Sequence, residues 1–333
     1  MEAPEPVAVN AGTGPPIGAA RISDACGGGP ADGFFRHRRR VRKRLFFGIA
    51  VLWLAGWIAA AVGLTPSVAG AFSEVQYRLK WIFNASVVGD LYAERHGFFR
   101  QEQLQVAIKE GGPERDAIRE LEMGRAQFGV ASADQVIRAL SKGADVVVIA
   151  QLFQVNPLQW IYRPDFMTLH RPADLKGKTL GVTFGGNDEA ILRALLAAAG
   201  LSESEVDLYS VRYDYTPFFR KEVNFWPVYR NTQAVFLGDK LRAAGESYAY
   251  FNPAEHGIRF VANSVVTSRR ILETQPELVK RFAAALRRGW QAAMEPANAE
   301  KTVAVLKFYD RDSSRETLRR QVALTRKLVQ PDR

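Results

Sequence analysis

A strand, a loop, a helix and a second strand can be read in order from Leu79 to Pro113, and that succession commits the rest of the chain to an open α/β sheet. Tyr77, Leu79 and Trp81 alternate as a strand does, and the alternation stops at Asn84. Gly89 to Phe98 reads as a short amphipathic helix. Leu104, Val106 and Ile108 alternate again, and Gly111-Gly112-Pro113 ends the run. A right-handed crossover between the two strands leaves the loop after the first one open at the carboxyl edge of the sheet. Ligands of such sheets bind at that edge. Trp81, Asn84 and Ser86 offer a stacking surface and neutral hydrogen-bonding groups there, without a nucleophile–base pair. The unit is built for binding rather than catalysis.

The remaining length supports two domains, with 333 residues, 47% of them apolar and 24% charged. A net charge of +10 suggests nucleic acid as a partner, but its distribution argues against this. Residues 36–44, RHRRRVRKR, hold +7 of it, directly before Leu45–Leu64, a run of twenty residues without a charge. At ~1.5 Å per residue that run spans roughly 30 Å, the thickness of a bilayer core. The basic flank keeps the N-terminus inside and sends residues 72–333 out of the cytoplasm. A cleaved signal peptide, with Ala69-Gly70-Ala71 near its end, and an uncleaved anchor in the inner membrane both fit. Residues 1–35 are rich in Gly, Pro and Ala without periodicity and are expected to form a disordered tail. No RNA-binding signature or zinc spacing is present. Cys26 is the single cysteine and the four histidines are scattered, so no metal site and no cofactor are expected.

Further along, QFGVAS reads as a strand and ADQVIRALSKG as a helix starting near Ala133, with Ser132 and Asp134 at the junction. ADVVVIAQLFQ is an apolar run of the buried type that ends in Phe153 and Gln154. PLQWIYRPD is a further strand whose end is expected to cross into a second lobe. TLGVTF precedes Gly185, Gly186, Asn187 and Asp188, where a helix begins. The backbone N–H groups of such a turn can hold an anion or a ligand oxygen. Helix capping by Asn187, Asp188 or Ser132 is the plainer alternative. Tyr213 and Asp214 come after VDLYSV, and Trp226 and Tyr229 lie in a later strand. IRFVANSVVTS reads as the return strand, and Leu278, Phe282, Leu286 and Trp290 form one stripe of the helix after it, a core pattern.

W-x-x-N at Trp81–Asn84, then GFF, a hydrophobic strand and GGP resemble the opening of bacterial solute-binding proteins that serve ABC importers. The subgroup most resembled holds binders of thiamine-pyrimidine precursors and of sulfonates or taurine, together with the fungal thiamine-pyrimidine synthases. The resemblance runs through most of residues 77–310. It implies an α/β periplasmic-binding-protein type II fold, two lobes with a hinge, preceded here by the signal or transmembrane helix. The expected division is 77–165 plus 255–333 for lobe 1 and 166–254 for lobe 2. It also implies a monomer in the periplasm, a small-molecule ligand in the cleft, and ABC permease and ATPase subunits as partners. A further helical segment beyond Arg333 is implied as well.

Three departures narrow the function. The synthases carry a cysteine-rich iron cluster, and this chain has only Cys26. Ala131 and Gln135 stand in the segment aligned with their cofactor lysine and substrate histidine. Where importer-type proteins show Asn-Glu-Pro after the PVY strand, this chain has Thr232-Gln233-Ala234. The expected ligand is therefore a small aromatic heterocycle, contacted by Trp81, Asn84, Ser132, Asp134, Phe153, Gln154, Gly185, Gly186, Asn187, Asp188, Tyr213, Asp214, Trp226 and Gln233. Asp214 is expected to meet an amino group. A sulfonate fits less well, because no Arg is placed at these loops for a bidentate contact. A synthase-like enzyme and a membrane-anchored solute sensor are the competing functions.

Overall fold

The computed structural model describes residues 71–331. Among them no helix is long and apolar enough to cross a membrane. The tail over 1–35, the basic flank and the apolar run over 45–64 lie outside the described residues.

The chain opens with β1 (Ser73–Arg78), α1 (Val88–Arg95), β2 (Leu104–Lys109), α2 (Ala117–Glu122), β3 (Phe128–Ala131), α3 (Ala133–Ser141) and β4 (Val146–Phe153). A second sheet is built from β5 (Leu158–Tyr162), β6 (Thr179–Val182), α4 (Asn187–Ala198), β7 (Asp207–Ser210), β8 (Phe225–Tyr229), α5 (Gln233–Ala243) and β9 (Ala249–Phe251). β10 (Ala262–Ser268) returns to the first sheet, and α6 (Pro276–Met294), α7 (Ala299–Tyr309) and α8 (Arg315–Val329) complete the described chain.

The two five-stranded sheets repeat one plan, β2-β1-β3-β10-β4 and β7-β6-β8-β5-β9. In each, four strands run in one direction and the strand arriving from the other lobe, fourth in the order, runs antiparallel to them. An antiparallel strand begins where its parallel neighbours end. The carboxyl ends of β1, β6 and β8 and the starts of β5 and β10 therefore supply one cavity between the sheets. Each sheet is covered on both faces, the first by the Tyr77–Phe282 core and the Ile118–Val266 core, the second by clusters around Trp160 and Trp226. Leu278, Phe282, Leu286 and Trp290 are all buried, as their spacing requires.

Three features differ from those expected. β5 does not belong to a lobe ending at residue 165: Trp160 pairs with Pro227 and Phe251, so the change of sheet falls within 154–157. Asn156 Oδ1 accepts from Leu158 N at 2.9 Å and Pro157 lacks an N–H, a turn that starts the new sheet at once. The apolar β4 run lies at the edge of the first sheet, and its Val148 is exposed. β1 ends at Arg78, so Trp81 lies in the loop rather than in the strand.

That loop is held at both ends. Tyr77 donates its hydroxyl to Asp90 Oδ1 at 2.6 Å, joining β1 to α1 in the core. Burial pushes the Asp90 carboxyl up to about 7 in spite of this bond. On the other side Leu79 N donates to Lys109 O at 2.8 Å, and Glu110 Oε1 accepts from Phe83 N at 2.7 Å. The glycine after Glu110 is required by space: a Cβ on Gly111 would lie 1.8 Å from the Leu79 carbonyl oxygen. Backbone cannot turn aside as a flexible side chain can. Gly111→Ala should cost about 1–3 kcal/mol, as overpacking does elsewhere. A urea midpoint unchanged from wild type would contradict this packing.

Candidate functional site

The cavity has a volume of about 80 Å³, small beside the roughly 300–1,000 Å³ of typical small-molecule sites. The loop after β1 gives it Lys80, Trp81, Asn84 and Ser86. The turn after β6 gives Thr183, Asn187 and Asp188, and the segment after β7 gives Arg212 and Tyr215. β8 and its following loop give Trp226, Tyr229, Thr232 and Gln233, and the start of β10 gives Asn263. Trp81, Asn84, Asn187, Asp188, Trp226 and Gln233 are thus brought together as the sequence suggests.

Contacts between the lobes close over this space. The Trp81 ring packs on Tyr213 with centroids 4.8 Å apart, and Arg212 pairs with Glu114. The Lys80 ammonium donates to the Tyr229 hydroxyl oxygen, and that hydroxyl donates to Asn187 Oδ1 at 3.3 Å. Asn231, fully buried after β8, donates from Nδ2 to Ser86 Oγ at 3.1 Å and to Thr325 Oγ1 at 2.9 Å. Within the first lobe, Asn263 Nδ2 donates to Ser86 O at 2.8 Å.

Buried charge at the cleft is balanced within it. Burial lowers the Lys80 amine to about 8, although the carboxylates of Asp134 and Asp188 favour its charged form. Burial raises the Asp188 carboxyl to about 6, opposed by the Thr183 backbone N–H that it binds at 2.6 Å. The Tyr229 phenol is pushed up, first by burial and then by the two carboxylates.

Several expected contacts are used elsewhere. The Gly185–Asp188 turn is not an open anion cradle, because its own acids take the donors. Thr183 N goes to Asp188, Gly185 N to Glu189 Oε2 at 2.7 Å, and Gly186 N to the Thr183 carbonyl. Ser132 is buried and donates to Gln135 Oε1 from both N and Oγ, at 3.0 and 2.9 Å, in a capping box. Asp134 pairs with Arg138 at 3.5 Å and reaches the cavity only as a charge beside Lys80. Phe153 is core, edge-on to Trp290. Gln154 is exposed and its backbone N donates to Leu328 O at 2.9 Å, tying β4 to α8. Asp214 is exposed and accepts from Thr216 N at 2.9 Å, capping a helical turn; hydrogen bonding from the Thr216 hydroxyl, and then from that N–H, holds its carboxyl below the usual range. Tyr213 touches Trp81 but does not line the cavity. Asn84 keeps one function for each end: Oδ1 caps the 3-10 turn at Ser86 N, 2.8 Å away, while the residue still lines the cavity.

Lys80, Thr183, Arg212, Tyr215 and Asn263 are absent from the sequence-based set. Lys80 had an available signal, as the neighbour of Trp81 in the same loop. Asn263 had none, since it stands inside a run that reads as a strand.

Two lobes, two like-ordered sheets and a cleft at their strand ends define the class, the periplasmic binding protein fold. The alkanesulfonate-binding protein SsuA from Xanthomonas axonopodis pv. citri, solved bound to MOPS, has this fold, with TM-score 0.60 and 18% identity over 77% of this chain and 85% of that one. The NMT1/THI5 like family matches residues 84–299, and the chain belongs to that family. Among curated relatives, the formylaminopyrimidine-binding protein of Halalkalibacterium halodurans is 25% identical over 264 residues, covering 78% of this chain and 77% of that protein. A putative thiamine biosynthesis protein of Haemophilus influenzae is 26% identical over 147 residues, 44% of this chain, and the match spans under half, 46%, of that protein. The 4-amino-5-hydroxymethyl-2-methylpyrimidine phosphate synthase of Legionella pneumophila is 26% identical over 229 residues, 65% of this chain and 68% of that one.

The lowered Lys80 value yields a signed prediction. An unfolded chain holds the Lys80 proton up to about pH 10, the folded one only to about 8, so this residue makes stability rise with pH across that window. Thermal midpoints from about pH 8 to about pH 10 should rise for wild type relative to Lys80→Met. Parallel curves for the two proteins would contradict the buried position of the amine.

Proposed function

We propose that the protein is an extracytoplasmic solute-binding protein that holds a small aromatic heterocycle, of the thiamine-pyrimidine kind, between its lobes and hands it to an ABC importer. The observation that carries this reading is the composition of the cleft: aromatic rings and neutral amides from both lobes converge at the strand ends. Rings stack on a flat ligand and amides meet ring nitrogens and exocyclic groups. Contacts made to both lobes at once favour the closed arrangement, which is how a ligand drives hinge closure. The family and the relative that binds formylaminopyrimidine support the same class of ligand.

A sulfonate is the second reading, favoured by Lys80 and Arg212 in the wall. Both cations are already engaged, Arg212 by Glu114 and Lys80 by Tyr229 and two nearby carboxylates. An anion would have to displace those partners. A synthase is disfavoured by Ala131 and Gln135, neither of which can serve as cofactor lysine or substrate histidine.

Calorimetry with 4-amino-5-hydroxymethyl-2-methylpyrimidine and with an alkanesulfonate separates the readings. The pyrimidine should bind, and Trp81→Ala should weaken it by ~1–3 kcal/mol, the scale of a base stacked on an aromatic side chain. Tight sulfonate binding with no pyrimidine binding would overturn the proposal.

A further inference from the structure

Among the described residues, a handful of buried side-chain nitrogens and oxygens have no hydrogen-bond partner. Only two belong to residues that line the cavity, Asn187 Nδ2 and Asn263 Oδ1. Asn187 is 7% exposed and Asn263 1%. One comes from the second lobe, at the start of α4, and the other from the first, at the start of β10.

In both cases the surrounding bonds decide which atom of the amide is left over. Asn263 gives Nδ2 to the Ser86 carbonyl, which can only accept, so its Oδ1 is the spare atom. Its backbone sits at φ 55, in the left-handed region, which few residues other than glycine and asparagine adopt readily. For Asn187 on the other lobe, the chain of bonds starts at the first lobe's Lys80, whose ammonium can only donate. It donates a hydrogen bond to the Tyr229 oxygen, the phenol O–H donates to Asn187 Oδ1, and Nδ2 is the spare atom. A cation at the head of such a chain polarises each bond after it, which makes the last N–H a better donor. Asn231 is the contrasting case. It is equally buried, yet both its Nδ2 bonds are made, to Ser86 and Thr325, so it serves the joint between the lobes.

We propose that Asn187 and Asn263 act as a donor–acceptor pair that selects the ligand. Asn187 Nδ2 donates to an acceptor on the ligand, a ring nitrogen or an oxygen. Asn263 Oδ1 accepts from an N–H, the exocyclic amine of an aminopyrimidine. This inference rests on the heterocycle reading above and adds to it a demand for an N–H that a simple alkanesulfonate does not have. A ligand without that N–H leaves the Asn263 oxygen buried and unpaired, which is the costly outcome for a polar group. Because the pair is split between lobes, the same two bonds that choose the ligand also draw the lobes together.

The test is a double-mutant cycle on the full chain by calorimetry. One axis is 4-amino-5-hydroxymethyl-2-methylpyrimidine against the analogue with a methyl group in place of the 4-amino group, similar in size and lacking the donor. The other axis is wild type against Asn263→Gly, which suits the positive φ. Wild type should lose at least about tenfold in affinity on the methyl swap, or 1.4 kcal/mol. Asn263→Gly should lose less than about threefold. Equal losses in the two proteins would overturn the pair. So would a wild-type loss under about threefold, a result that does not depend on the variant folding. If neither pyrimidine binds wild type, the heterocycle reading fails and the pair falls with it. Binding without coupling would refute the pair alone.

Discussion

Asn231 is the tie on which the geometry of the cleft depends. It leaves the second lobe at the end of β8 and enters the first, where Ser86 and Thr325 accept its amide protons. Thr325 Oγ1 in turn lies 3.3 Å from the Ala85 carbonyl, and Gln321 Nε2 reaches Thr232 O at 3.4 Å. These groups are buried, so separating them from one another without admitting water would leave polar atoms unpaired, at about 1–3 kcal/mol each. The network therefore fixes the loop that carries Trp81 and Asn84 against the short connection between Tyr229 of β8 and Gln233 of α5. α8 supplies one side of it and also pairs, through Arg320, with Asp239 on α5. One helix thus holds both lobes.

Electrostatics make the cleft close to neutral. Lys80 faces Asp134 from the first lobe and Asp188 from the second, and each of the three is moved by burial toward its uncharged form. Opposing charges limit those shifts without cancelling them. An added anion would upset this balance in a region of poor solvation, where unpaired charge is costly. A neutral ring with hydrogen-bonding edges would leave it intact. Tyr229 has its place here as a relay, since it is held protonated and passes the Lys80 charge on as a polarised hydrogen bond.

Much of the fold is written in local pattern. Alternation and helical stripes locate β1, β2, the α1 crossover and the buried face of α6, because each depends on residues within one turn or one strand. The Trp81–Asn84 loop and the Asn187–Asp188 turn are legible for the same reason. Asn263 is not: its partner Ser86 is 177 residues away, and inside VANSVV nothing marks it off from a strand residue. Asp214 misleads in the opposite way, since an exposed cap and a ligand contact look alike in sequence. α8 has a regular stripe in Leu318, Val322, Thr325 and Leu328, all buried, so the helix is legible in the sequence, although its place as a joint between the lobes is not. The lobe boundary near residue 155 depends on which sheet receives β5, a tertiary choice that strand propensity does not encode.

The central claim, a neutral aminoheterocycle held between the lobes, is tested most directly by native mass spectrometry of the full chain isolated from the cells that produce it. A retained adduct released on unfolding, with the mass and ultraviolet absorbance of an aminopyrimidine, is the result this account predicts. A sulfur-containing aliphatic anion released from the same cleft would contradict it.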